Sequence, residues 1–449
     1  MTSDTSLPRA GRLLTSSIPD HAFILLTPVI ALSALFLSHE DGHGSGSEMS
    51  TIAGHLVNGF GFISPYLDPS FDMKTTVCAP LYVWLMAAVY KLFGIETYSA
   101  RLSLQLLNIA LHCGTLFVMF RYCRNVLSDK AARWFAAIYC FHPHLIYLPF
   151  NIWETSLTTF LLALILYFAT FTLATAHSFR LFLFGILLGT TSLSNPAWTL
   201  AYPLICLIPF WRAGASTTRT IRSLSIITLA FALVVSPWIA RNAAISGQFI
   251  FVRGMSAPEF YKGNNPDAEG GHGKGFVEYY LLASKRERTR LSELGESRYN
   301  AEKLDLTLKY IKRHPTRYLQ LTLQRITMWW SGDIDALQWY RNNNKPTEFS
   351  EFNHYYFIAM AMVVSGLISS LIAFTGLYLL RQQLRRLWCL LIYIFILPAP
   401  FFLMIIGFRY QAAMMPFLII PAAHALMTFY QLMVSKLTQA SGTAYVTEH

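Results

Sequence analysis

Apolar positions along the chain gather into blocks of around 20 residues, the length a helix needs to cross a bilayer. The blocks lie at 21–38, 99–120, 133–150, 154–176, 180–195, 197–211, 223–240, 355–380, 387–406 and 411–434. They predict an all-α polytopic membrane protein of about ten transmembrane helices. The two short blocks flanking Asn195-Pro196 fit a broken helix or a re-entrant hairpin equally well. Two polar stretches interrupt the series, 39–98 and 241–354, and divide the chain into three parts. These are a transmembrane module 1–240 carrying the first loop, a loop region 241–354, and a C-terminal part 355–449.

Both loops have their own pattern. From Glu48, the spacing of Ile52, Leu56 and Val57 predicts a helix that ends at Asn58-Gly59. Pro80 to Phe93 is apolar on most sides but too short to span, and reads as a helix lying in the interface. In the second loop a turn cluster, Gly263-Asn264-Asn265-Pro266 and Gly270-Gly271-His272-Gly273, precedes amphipathic stretches at 292–312 and 316–330. The latter ends in Trp329-Trp330, as at the aromatic belt of a bilayer surface.

Composition agrees. The 449 residues are 54% hydrophobic and 13% charged, against about 25% charged in soluble chains. A disordered chain, a disulfide scaffold and a free nucleic-acid-binding protein are excluded. The net charge of +11 fits basic residues collected in cytoplasmic loops. With a cytoplasmic N-terminus, the inner loops hold Arg121, Arg124, Lys130, Arg133, Arg381, Arg385 and Arg386 among others. The short turns on the other side then hold only Arg409. Both loops and the site would face outward from a bacterial-type inner membrane, with both termini cytoplasmic. Block 21–38 reads as a retained span, since no small-residue cleavage site follows it. The six cysteines have no metal-ligand spacing and read as apolar packing residues.

Few acids remain to carry chemistry. Glu154 and Glu48 each head a helix beside an apolar span, where a carboxylate either favours the helix dipole or serves as an acid or base. Arg241, Arg409 and Lys74 are the sparse cations of the same face, able to grip a phosphate or to snorkel to headgroups. The cluster His39, Glu40, Asp41 and His43 invites a metal, but its ligands are adjacent and precede a Gly/Ser run, so a solvated loop is the simpler reading. Whether a divalent metal takes part stays open. No nucleotide-binding glycine motif is present.

The ordered set of short motifs resembles the GT-C superfamily of membrane glycosyltransferases, in the branch of protein O-mannosyltransferases and the lipid A aminoarabinose transferase. It comprises Ile52…Gly59-Phe60-Gly61-Phe62…Pro65, Ala79-Pro80-Leu81-Tyr82-Val83-Trp84-Leu85, Trp153-Glu154-Thr155, Ser194-Asn195-Pro196, Pro237-Trp238…Arg241-Asn242, Gly263-Asn264-Asn265-Pro266 and Arg409-Tyr410…Pro416. The resemblance implies transfer of a sugar from a polyprenyl-phosphate carrier to a glycan, lipid or protein acceptor, usually with inversion. It puts the essential acid on Glu48, with Asp41 or Glu40 as alternatives, and a second acid on Glu154. Arg241, Arg409, Tyr410 and Lys74 become the phosphate-side candidates. The chain departs from the pattern at Ser47-Glu48, where the family has paired acids, and at Cys78-Ala79, where a lysine and a first proline are usual. A lipid or sugar transporter is the rival reading; the one-sided loop region and the lack of inverted repeats favour the enzyme.

Overall fold

A computed structural model describes residues 26–30, 32, 47–271, 273–332 and 349–444. Among the described residues the fold is helical throughout, with a single isolated β-bridge between Ile63 and Lys74. The helices are α1 (Glu48–Val57), α2 (Pro80–Phe93), α3 (Tyr98–Val126), α4 (Asp129–Phe141), α5 (Pro143–Tyr147) and α6 (Thr155–Phe171). They continue with α7 (Ser178–Ser194), α8 (Tyr202–Arg212), α9 (Thr217–Ser246), α10 (Ser256–Gly263), α11 (Lys274–Glu278) and α12 (Lys285–Arg313). The last are α13 (Pro315–Ser331), α14 (Phe349–Leu379), α15 (Trp388–Phe395), α16 (Ala399–Leu403) and α17 (Phe408–Ala444).

Ten spans are not confirmed among the described residues. Four described helices are long and apolar enough to cross a bilayer: α3, α9, residues 360–379 of α14 and 409–439 of α17. A fifth joins them if 143–150 and α6, which meet at 120°, count as one broken span. The reason is local. Pro143 and Pro398 interrupt apolar runs that composition alone reads as continuous, each removing a backbone donor and clashing with the preceding turn, while Pro196 divides the two short blocks where the sequence already broke. Block 180–195 becomes α7, 17 residues long, and 197–211 becomes a 3₁₀ turn followed by the 11-residue α8. Block 21–38 lies mostly outside the described residues.

Close helix packing replaces hydrophobic drive where lipid is the solvent. Gly185 and Gly189, one turn apart on α7, let α9 approach so near that a Cβ on Gly185 would sit 2.4 Å from the Ile227 carbonyl oxygen. Gly376 of α14 does the same against the Pro421 carbonyl of α17, at 1.8 Å. The main core fills the bundle from Leu116 to Ala423. A second core sits at one bundle end and unites α1, α2 and the polar region 247–313 through Ile52, Tyr82, Trp238, Val252, Leu281 and Tyr299.

The predicted loop helices appear nearly as read. Ser47 caps α1, its Oγ accepting from the Ser50 N–H at 3.3 Å. Pro80 starts α2 at the first turn, where its missing N–H costs nothing. None of the six cysteines forms a disulfide, and five of them are buried.

Candidate active site

Glu48 is the first residue of α1, where the helix dipole favours its charge. The Tyr66 hydroxyl donates to Glu48 Oε1 at 3.3 Å. Tyr280, from the polar region, reaches the same carboxylate. Burial, reinforced by Glu48, holds both phenols well above the usual tyrosine range, so both remain donors.

Glu154 immediately precedes α6, yet its side chain does not cap that helix. It turns instead to Asn195, whose Nδ2 donates to Oε1 at 3.1 Å. Pro196 explains the partner: α7 stops there, leaving Asn195 extended, with its Oδ1 accepting from the Ala197 N–H at 3.1 Å. Glu154 is 4% exposed, and its Oε2 is buried with no hydrogen-bond partner. An unpaired buried carboxylate oxygen is expensive, so it is a strong acceptor for any donor brought to it.

Arg409 opens the spanning part of α17. Its guanidinium lies 5.4 Å from the Trp153 ring centre, and Nη2 donates to the Tyr410 hydroxyl at 2.7 Å. Glu154 and Glu48 both act electrostatically on it. Cys78, buried just before α2, senses Glu48, Arg253, Glu154 and Arg409 together. Burial first, then the Glu48 charge, pushes its thiol well up, so it stays neutral. Both acids and Arg409 therefore lie near enough to Cys78, the residue that replaces the lysine of the resembled pattern, to act on its thiol electrostatically.

Sequence reasoning missed three charged residues of the polar region. Arg253 lies 3.7 Å from Glu259, and its charge reaches Glu48 and Tyr410. Its Nε is buried with no acceptor. Lys262, 5% exposed, is 2.8 Å from the Glu259 carboxylate, and its ammonium sits 4.6 Å from the Tyr280 ring centre and 4.8 Å from that of Phe276. Burial would raise the Glu259 carboxyl, but Lys262 and Arg253 outweigh it and hold the group below the usual range. The available signal was the i,i+3 pair Glu259/Lys262 ahead of the Asn-Asn-Pro turn.

Other candidates are placed elsewhere. Arg241 spends its donors on backbone, Nη1 on the Thr75 carbonyl at 2.7 Å and Nη2 on the Phe62 carbonyl at 3.1 Å, between the rings of Phe62 and Trp238. It pins the loop ahead of Cys78 rather than facing the acids. Glu296 holds that loop from the other side, accepting from the Thr76 N–H at 2.7 Å and from both threonine hydroxyls. Lys74 is half-exposed and paired with Asp72 at 2.7 Å. Asp41, Glu40 and the histidines beside them lie outside the described residues. Among the described residues no group of three or more His, Cys, Asp or Glu side chains is arranged to hold a metal.

No family model and no curated protein sequence matches the chain. Solved structures do. The oligosaccharyltransferase of Archaeoglobus fulgidus, tethered to an acceptor peptide with the NVT sequon, aligns at 13% identity and TM-score 0.52, over 92% of this chain and 49% of that one. The same organism's AglB, in complex with an inhibitory peptide and a dolichol-phosphate, aligns at 14% identity and TM-score 0.52, over 96% and 52%. ArnT from Cupriavidus metallidurans bound to undecaprenyl phosphate aligns at 13% identity, over 91% and 78%, with a TM-score of only 0.42. At these identities the likeness is one of fold alone.

Proposed function

We propose that this chain is an integral-membrane glycosyltransferase that takes a hexose or pentose from a polyprenyl-phosphate carrier and passes it, with inversion, to an acceptor at the outer face of the membrane. The observation that carries the reading is the convergence of Glu48 and Glu154 with Arg409 and Arg253 around Cys78 at one end of a GT-C bundle. AglB, which shares the fold, was solved in complex with a dolichol-phosphate, and the same class of carrier is proposed here.

Glu48 is assigned as general base. The acceptor's nucleophilic atom bonds to the anomeric carbon as the bond from that carbon to the phosphate oxygen breaks, and Glu48 takes the acceptor's proton. Tyr66 and Tyr280 orient the carboxylate. The departing phosphate keeps the bonding electrons, and Arg409 and Arg253 supply fixed positive charge where they collect. Glu154 is assigned to the substrate through its free Oε2, which can accept a sugar hydroxyl. The isoprenoid tail stays in the bilayer, so no nucleotide fold is required.

The test uses the full chain in nanodiscs with undecaprenyl-phosphate sugars and membrane-extract acceptors, followed by mass spectrometry. A new glycosidic product with release of undecaprenyl phosphate is expected. Movement of the intact carrier across proteoliposomes without a new bond would instead establish a transporter and overturn the assignment.

A further inference from the structure

Helix α13 is built the wrong way round for a helix in water. Arg325 on one face is fully buried, while Leu319 and Leu323 on the opposite face are 57% and 54% exposed. Positions 319 and 323 lie one turn apart, and 321 and 325 stand about 200° from them around the axis. Leu321, Arg325 and Met328 thus form the inner face; Leu319, Leu323 and Thr327 form the outer one.

The inner face is fully engaged. The Arg325 guanidinium donates to the carbonyls of Gly263, Gly270, Phe402 and Leu403 and to Asn264 Oδ1. It so ties the segment behind Lys262 to the turn that leads into Arg409. At its far end α13 enters the bundle: Trp329 stacks on Phe401, and Trp330 meets Phe374 of the spanning helix α14. Just before α13 the chain carries Lys309, Lys312 and Arg313, all exposed, and the exposed Leu304 and Leu308.

We propose that the outer face of α13, through Leu319 and Leu323, rests in the headgroup and upper acyl layer of anionic lipid. The helix is then a lipid-seated strut that holds the polar region over the catalytic end. Two observations select lipid as the occupant. The leucine row is continuous with a helix end already packed into the membrane-spanning bundle, and the basic residues beside it complement anionic headgroups. The inference does not depend on which substrate the enzyme uses.

An environment-sensitive fluorescent amino acid placed at Leu319 or Leu323, in nanodiscs of phosphatidylethanolamine and phosphatidylglycerol, tests it. Leu229, exposed on the spanning helix α9, serves as the lipid reference, and Thr289, exposed in the polar region, as the water reference. The expected result is blue-shifted emission at both leucine positions, with quenching by lipids brominated near the headgroup at least half of that seen for acyl-chain bromines at Leu229. Emission matching Thr289 would overturn the proposal. So would a blue shift without lipid quenching, which would mean that protein covers the face. Two independent label sites guard against one variant failing to fold.

Discussion

Glu48 and Glu154 have different capacity left in their oxygens, and that separates their expected phenotypes. Glu48 is exposed enough to meet an acceptor and is oriented by Tyr66. Glu48→Gln keeps the shape and removes the basicity, so turnover is expected to fall about 100- to 10,000-fold, while undecaprenyl phosphate still binds in a tryptophan-fluorescence titration. Wild-type turnover in that variant would remove Glu48 as the base. Arg409→Ala should behave oppositely, weakening undecaprenyl phosphate binding at least tenfold, since a charge-assisted contact contributes about 1.5–3 kcal/mol. Arg241→Ala is the contrast. Its two hydrogen bonds to the Thr75 and Phe62 carbonyls fasten the loop before Cys78, so a lowered melting temperature, worth about 2 kcal/mol, is expected ahead of any specific loss of carrier binding. The acids were legible in the sequence because acids are scarce and these two stand at helix starts. The role of Arg241 was not, because its partners at Thr75 and Phe62 lie more than 160 positions away along the chain. Arg253 and Lys262 were hidden for a different reason: among 35 basic residues, nothing local marks Arg253, and the i,i+3 pairing with Glu259 was the one signal at Lys262.

At the scale of elements, local periodicity was readable and the proline breaks inside apolar runs were not. The start of α1 and the whole of α2 follow from Ser47, Pro80 and local periodicity, so the expected helices form with little change. The count of about ten spans is not confirmed among the described residues, because an apolar run reports burial, not straightness, and single prolines cut some runs short. Contact distance was also invisible. Gly376 looks like any glycine in an apolar helix, yet a Cβ there would lie 1.8 Å from the Pro421 carbonyl. Gly376→Ala is expected to force α14 and α17 apart, with overpacking costing about 1–3 kcal/mol, seen as a lower melting temperature in detergent; an unchanged value would mean that the helices separate at no cost. In α12, Glu287 accepts from Tyr299 at 2.8 Å and pairs with Lys303 at 2.5 Å, both carboxylate and ammonium being about 95% buried. Burial opposes the charge, but Lys303 and Tyr299 outweigh it and hold the carboxyl below its ordinary value of 4.5. The folded value lies below the unfolded one, so the stabilisation is present above pH 4.5 and fades as pH falls through the folded value. Hydrogen exchange across 285–313 should therefore quicken on acidification beyond its intrinsic rate, and Lys303→Met should abolish that dependence. The same slope in the variant would assign the acid sensitivity to another group.

For the whole molecule, the decisive question is which compartment the catalytic end faces. The starts of α1, α3, α6 and α17 and the ends of α7 and α9 gather near Cys78, Glu154 and Trp238, so the opposite ends of the long helices define the other face. There stand Arg121, Arg124, Lys130 and Arg133 around the α3–α4 turn, and Arg381, Arg385 and Arg386 after α14. Seven basic residues around two short connections on that face, against Arg409 alone in the short turns of the site end, is the asymmetry by which insertion orients helices, with the basic side cytoplasmic. Single cysteines placed in a cysteine-free chain should then react with an impermeant maleimide from outside at positions within 45–75 and 260–345. Those within 121–133 and 381–386 should react only after the cells are opened. The consequence is chemical as well as topological. A carrier whose sugar is presented at the outer leaflet can reach Glu48 and Arg409 only if the catalytic end faces that way. Labelling of 260–345 from the cytoplasm alone would leave the fold intact and overturn the outer-face reaction.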